Sequence, residues 1–483
     1  MAAVVYRFVR DLRIDDHAGL AAAAAHGEIV PLLVIDRALE ARLSRSPRRA
    51  AFFCRAAAAL DASLRRRGSA LIVRRGPAGA AIRHLARATG ASGAAWSASY
   101  DRTGMLADGR LQAELEEARL RATVVDDAPA LPPEETSAAR PSGGDGYRAF
   151  VPYLDVWQKL RVASFEAPLL LPFARVAVQS EALPSPEQFG AQDFETEATP
   201  EAAWRALSAF LGGSGLHYAV TANVPADDRT SHLSAHLSFG TIAARTVVRE
   251  VRDRCEDPFL LVEERHSLRL FLRSLAMRDF FLQLAWHHPL SEDEALQEKM
   301  RSFPFVKKHP ALEAWRTGRT GYTLVDAGIR QLHATGWMHP RVRAIAASFL
   351  CFDLGVDWRV GRAEWDRYTI EDYPALAGGN WQWIAGVGAD MAAYPRIYNP
   401  DKQARRFDPS GAYARTWIEE LAHQPGAFGA SRRPDAQIEL PLFGREGYPQ
   451  PVVDHDRAAR EFLARYRRFG GEARPAGARP ASR

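Results

Sequence analysis

The first 127 residues alternate between apolar, β-rich runs and helical stretches. The runs fall at 4–9 (VVYRFV), 29–35 (IVPLLVI), 70–73 (ALIV), 93–96 (GAAW) and 121–125 (RATVV). Between them lie stretches such as 48–66, alanine-rich and amphipathic at a helical period. Strands that alternate with helices predict a parallel sheet covered on both faces, a Rossmann-like α/β domain over 1–127. Pro129, Pro132 and Pro133, followed by Ser142-Gly143-Gly144-Asp145-Gly146, then punctuate the chain, so 128–200 reads as an interdomain connector.

From about residue 200 the period changes to that of helices. Val325, Gly328, Ile329 and Leu332 recur at i, i+3, i+4 and i+7, and Val342, Ile345, Ala346 and Phe349 repeat the spacing. Pro340 stands where the second of these helices would begin, a position that tolerates its missing N–H. An all-α domain is expected over 201–469, with a disordered basic tail at 470–483 (GGEARPAGARPASR).

Composition narrows the class. Of 483 residues, 47% are hydrophobic and 25% charged, which places the chain among globular proteins. No apolar run reaches the ~18 residues a membrane span needs. The first residues place charges inside the apolar run and carry no cleavable signal pattern. Cys54, Cys255 and Cys351 are too far apart for a disulfide framework or a metal cluster and suit a reducing compartment, so a cytoplasmic protein is expected; a monomer is expected as well. Only five of the 63 basic residues are lysine. Arginine is the residue for bidentate phosphate contact, although GC-rich codon usage would give the same bias.

Three local patterns carry candidate chemistry. Trp381-Gln382-Trp383 follows Gly378-Gly379-Asn380, and two tryptophans in a glycine-flanked turn can line a pocket for a flat ring or a base. Arg341 and Arg343 fall in the first turn of a predicted helix, where the macrodipole disfavours cations, so a carboxylate (Glu371 or Asp372) or a phosphate is expected beside them. Thr230-Ser231-His232-Leu233-Ser234 opens another predicted helix and offers hydroxyls and free N–H groups to an anion, or simply a cap.

Taken together, these stretches resemble the DNA photolyases and cryptochromes. RFVRDLRIDDHAGL (7–20), TSHLSAHLSFGTIAAR (230–245), the long segment 321–359 and NWQWIAGVGADMAAYPRIYNPDKQARRFDPSGAY (380–413) occur in the order of that family's motifs. The resemblance implies an FAD held in the helical domain and light-driven electron transfer to a pyrimidine dimer in DNA, flipped out of the duplex. A cryptochrome-like photoreceptor is the alternative. It further implies that Tyr218, Thr230, Ser231, Leu233 and Ser234 hold the phosphates and ribityl chain. Arg343 stands beside the flavin ring with Glu371 or Asp372 as partner. Phe271, Ser274, Arg278, Trp337, Ala377 and Asn380 line the same site. Arg278, Met277, Arg341, Arg396 and Lys402 face DNA, and Trp383 stacks on the dimer.

The dimer pocket departs from the family pattern. Ser274 replaces a glutamate and Met277 a tryptophan. Pro340 replaces an asparagine, Ala344 a methionine, and Ala377 the asparagine that usually faces flavin N5. Trp381 and Trp358 match the first two members of the family's tryptophan relay, whereas Phe305 takes the third place, which leaves a detour through Trp365 or Tyr368. A second, antenna chromophore is implied as deazaflavin, folate or flavin; Thr103 and Gly104 replace the usual folate-binding pair.

Overall fold

The computed structural model describes residues 3–140, 143–165, 171–175, 178–192, 194–390, 395–423 and 447–472. The chain forms two compact units. One comprises Met1–Ala222, Arg229–Glu292 and Asp366–Ala377; the other comprises Asn223–Asp228, Asp293–Trp365 and Gly378–Arg483.

The first unit is built on five parallel strands: β1 (Ala3–Phe8), β2 (Glu28–Ile35), β3 (Ile72–Arg75), β4 (Ala91–Ser97) and β5 (Arg121–Val125). All five expected runs are strands; 121–125 coincides with its strand and the other four are shifted by one or two residues at their ends. Their order is β3-β2-β1-β4-β5. β1 is central and every residue of it is buried, which explains its near-continuous apolar run. Its alternate residues serve two cores. Val4, Tyr6 and Phe8 pack with Phe52, Phe53 and Leu60 of the helix Pro47–Arg66, while Ala3 and Val5 pack with Ile82, Leu85 and Trp96. Ser46 caps that helix, and its alanines let it lie close to the sheet.

The two units part differently from the expected boundaries. Residues of the connector run along the sheet: Ile29 N donates to Pro172 O, and Glu181 N to Val73 O. The long helix Val262–His287, expected in a separate helical domain, is tied to the connector through Asp279. That buried carboxylate accepts from Ala130 N (3.0 Å), Leu131 N (3.2 Å) and Trp157 Nε1 (3.0 Å). A buried carboxylate needs such donors, and they lie in the segment that punctuation alone marks as a linker. The connector itself contains the helices Pro133–Ala138 and Phe150–Trp157.

In the second unit, the helices Thr323–Thr335 and Pro340–Ser348 take the expected spacing, with Val325, Ile329, Leu332, Val342, Ile345 and Ala346 buried. Gly328 permits their close approach, since a Cβ there would strike the Val342 side chain. The last helix, His455–Glu472, runs into the segment expected to be disordered, and 473–483 lie outside the described residues. Among the described residues no helix is long and apolar enough to cross a membrane.

Candidate functional site

The first unit gathers one set of the predicted residues. The Thr230–Ser234 segment is mostly loop: the helix begins only at Ser234 and ends at Phe239. His232 sits at φ +51°, the left-handed conformation, which turns the chain sharply before Leu233 enters the core. Ser234 Oγ donates to Glu371 Oε1 at 2.8 Å, so two residues 137 apart in sequence meet. Thr230 Oγ1 is buried and has no partner among the described residues. A buried hydroxyl without a partner costs roughly 1–3 kcal/mol, and a bound hydrogen-bonding ligand would remove that cost. The residues present therefore fit a phosphate- or sugar-bearing cofactor.

Tyr218, Phe271 and Ser274 also come together. The Tyr218 and Phe271 rings meet edge to face at 5.6 Å, and the Tyr218 and Ser274 hydroxyls are 3.4 Å apart. Met277, on the same helix, is partly exposed. Arg278 behaves otherwise. Its guanidinium donates to Ala128 O (2.9 Å) and Leu237 O (3.3 Å) and lies 5.6 Å from the Tyr373 ring centre. That geometry assigns it to holding the unit together rather than to an outward face.

The two acids offered as partners for Arg343 differ in their surroundings. Asp372 is buried and accepts from Arg42 Nε at 3.0 Å, with Arg10 Nη2 at 3.6 Å. Burial opposes its charge, but Arg10, Arg42 and Arg49 outweigh burial and hold the carboxyl well below the usual carboxylate range. Glu371 is the less enclosed of the two, and its carboxylate carries the bond from Ser234.

A crevice opens where β1, β2 and β4 end, the switch point at which ligands settle in doubly wound sheets. Arg7, Arg10, Asp36, Arg42, Asp101 and Asp108 line it, and about 50 Å³ is free. That is room for a few waters. Arg10 is bound there to Asp101 at 2.9 Å. Elsewhere in the unit, donor atoms of Asp11, His17 and Asp127 lie within 4.8 Å of one another. Arg13 and Arg245 already occupy Asp127, at 2.7 and 2.6 Å, and two guanidinium groups disfavour a metal cation.

One expectation is corrected along the chain. Gly378 to Trp383 do not form a turn: they lie inside the helix Pro374–Ala385. Tertiary anchoring overrides the cost of two helical glycines. Trp381 is buried against Trp365, and the Gln382 amide accepts from Leu296 N and donates to Glu294 O. Trp383 points elsewhere and stays partly exposed, as residues two apart on a helix must. Ala377 and Asn380 are exposed on that helix, three residues apart and so on one face.

The second unit gathers the basic candidates. Arg341 Nε donates to Asn223 Oδ1 at 2.8 Å, and its guanidinium lies 4.9 Å from the Phe407 ring centre. Arg406 approaches the same ring at 5.1 Å. Lys402 and Arg405 are exposed on the helix Pro400–Phe407, and Arg396 is exposed just before it. Asn223, Arg405 and Arg406 escaped sequence reasoning, although the QARRF doublet carried a signal. Arg343 Nε donates to Met338 O at 2.8 Å. Trp337 is partly buried, edge to face with His339 at 6.1 Å.

The tryptophans are arranged in two directions. Trp381 meets Trp365 at 4.4 Å between ring centres, and Trp365 stacks on Trp315 at 6.0 Å and 18°. Trp358 instead lies under the guanidinium groups of Arg359 and Arg362, at 4.7 and 5.5 Å. Phe305 packs on Phe303.

Residues 4–172 match the family model described as DNA photolyase, and residues 271–468 match the FAD binding domain of DNA photolyase. The chain is 32% identical to a deoxyribodipyrimidine photo-lyase of Halobacterium salinarum, across 96% of this chain and 98% of that one. It is 31% identical to Cryptochrome-1 of Arabidopsis thaliana, across 93% and 68%. A bacterial class III photolyase from Agrobacterium tumefaciens superposes with a TM-score of 0.84 at 29% identity, over 98% of each chain.

Proposed function

The chain belongs to the DNA photolyase family, and from that membership we propose that it binds FAD and splits cyclobutane pyrimidine dimers in DNA under blue light. When bound, FAD supplies a light-absorbing one-electron donor. In this reading, Thr230, Ser231 and Ser234 give hydroxyls, and Leu233 its backbone N–H, to the phosphates and ribityl chain, with Tyr218 closing the site. Arg343 places positive charge beside the flavin ring, where it stabilises developing negative charge. Glu371 fixes Ser234 by accepting from its hydroxyl.

Arg341, Arg396, Lys402, Arg405 and Arg406 neutralise duplex phosphates, and Trp383 offers a flat face to an extruded pyrimidine. Met277 packs on the apolar side of the dimer, as thioethers do. The observation that carries the repair reading is the basic cluster around Phe407: two guanidinium groups on one ring, with Asn223 orienting the first.

A second reading, a photoreceptor with little repair, draws on Ser274. Its hydroxyl has a 3.4 Å neighbour in both Tyr218 and Leu270 O, and it lacks the reach and charge of a carboxylate that could hold the thymines. The two readings separate in one assay. Chemically reduced protein, an oligonucleotide carrying a thymine dimer and blue light should return intact thymines. None at saturating protein and light would leave the photoreceptor.

A further inference from the structure

We propose that Arg49 is a positioning residue of the cofactor site: from the helix Pro47–Arg66 it shapes segment 366–372 into a strap that holds the helix Ser234–Phe239 in place. The inference rests on FAD binding as proposed above.

Segment 366–372 forms neither helix nor strand, so its carbonyls need donors from elsewhere. The helix Pro47–Arg66 supplies them. Arg49 Nη2 donates to Asp366 O (3.1 Å) and Glu371 O (3.0 Å), and to the side chains of Asp366 (2.8 Å) and Thr369 (3.3 Å). Ser46 Oγ, the cap of the same helix, donates to Tyr368 O at 3.2 Å. With 1% of the Arg49 side chain exposed, its donors cannot turn to water and end on protein oxygens.

The other side of the strap grips the helix Ser234–Phe239. Ser234 Oγ donates to Glu371 Oε1 at 2.8 Å, and Asp372 N donates to Ser238 Oγ at 2.8 Å. The two serines are four residues apart and so share one helix face. Ser238 is buried and Ser234 exposed, so the first anchors the helix while the second stays open to a ligand. Arg49 reaches Glu371 at its carbonyl, and therefore acts on the Glu371 carboxylate through the strap's backbone.

One face of the helix Pro47–Arg66 sets both parts. Residues 49, 52 and 53 lie three and four apart on it. Phe52 stacks on Phe239 at 5.3 Å and 27° and meets the His236 ring at 5.3 Å, and Phe53 lies 6.1 Å from Phe239. These two rings seat the short helix, and the guanidinium one turn earlier seats the strap across it. A helix of six residues does not hold its own shape, so its position is set by what packs on it.

Lysine keeps the charge but ends one atom short of the guanidinium nitrogens and lacks their fork, so Arg49→Lys loosens the strap without removing the cation. FAD titrated into the cofactor-free full chain, followed by flavin fluorescence, should bind about 10-fold more weakly in R49K; hydrogen bonds behind a metal site contribute about 10–100-fold. S234A should weaken binding too, and adding R49K to S234A should cost no more than about 3-fold further, because the two act through one contact. Effects that multiply in full would overturn the proposal, as would wild-type affinity in R49K. Amide exchange in the cofactor-free chain gives a second reading. In R49K it should quicken more at 235–239 than along β1; equal quickening would mean a general loss of stability and would also overturn it. Should R49K not fold, S238A cuts the strap's other tie and carries the same test: FAD binding equal to the wild type would overturn the strap. A wild-type chain that takes up no FAD defeats the functional reading and this one together. A wild-type chain that binds FAD no better than R49K does defeats this one alone.

Discussion

Replacing Asp372 with asparagine tests whether the arginines at the sheet's end hold the segment that carries Glu371. The carboxylate lies 3.0 Å from Arg42 Nε and 3.6 Å from Arg10 Nη2, with 3% of its side chain exposed. At an effective dielectric of about 20, each attraction is about 5 kcal/mol before the cost of dehydrating the charges. Removing one member of a buried ionic group costs about 3–5 kcal/mol net, because the partner charges remain buried. Arg10 keeps Asp101 at 2.9 Å, and Arg42, 24% exposed, can turn to water, so the lower end applies: about 3 kcal/mol. With a urea slope near 3 kcal/mol/M, the midpoint followed by far-ultraviolet circular dichroism should fall by about 1 M.

The pH dependence gives an independent check. Asp372 has a folded-state pKa depressed below its unfolded value of about 3.9, so its contribution is complete above that value and drains away as pH falls below it. D372N should lose this part of the acid limb and match the wild type most closely at the lowest pH. A midpoint and acid limb equal to those of the wild type would mean that Arg10 and Arg42 do not hold this segment through Asp372.

Other expectations follow from the same geometry. Asp326 accepts from Thr320 N and Oγ1, Gly321 N and Tyr448 Oη, yet burial outweighs these donors and raises its pKa to about 6. A raised acid favours the fold at low pH, so this group's stability is full below about pH 4. About 3 kcal/mol of it should be lost by pH 7, a slope that urea titrations should find missing in D326N. Arg341→Ala should weaken damaged and undamaged duplex alike and lower the salt slope by about 1 in filter-binding or anisotropy titrations; a loss confined to damaged DNA would contradict a phosphate role. Ala377→Asn should lengthen the life of reduced flavin in air, followed by its absorption, because an amide can hydrogen-bond a ring nitrogen and a methyl group cannot. An unchanged reoxidation rate would place residue 377 away from that nitrogen.

What the sequence discloses depends on how local the determinant is. The five strands and the helix Pro47–Arg66 are legible because their apolar periods are long and their caps conventional. The helix over Gly378–Trp383 is not, since its two glycines speak against it and its anchors, Trp365, Glu294 and Leu296, are distant in sequence. Residue types at a shared motif brought Ser234 and Glu371 to one place, whereas the inward commitment of Arg278 depends on carbonyls at 128 and 237 that no pattern announces. Trp315 shows the same limit. A lone tryptophan in LEAWR reads as core until its ring is seen on Trp365.

Asp279 bears on how this molecule can be taken apart. Its carboxylate sits mid-helix among residues that bear the Phe271 and Ser274 side chains, and every backbone amide it receives belongs to residues 130–131. Gene truncation near residue 200 would strip those amides, along with the Trp157 indole, and uncover apolar side chains such as Phe280, which packs on Phe150 and Tyr153. The carboxy-terminal piece should then be insoluble when expressed alone and recoverable only on co-expression with residues 1–200, so swapping modules between relatives at that point would fail for reasons unrelated to light or DNA.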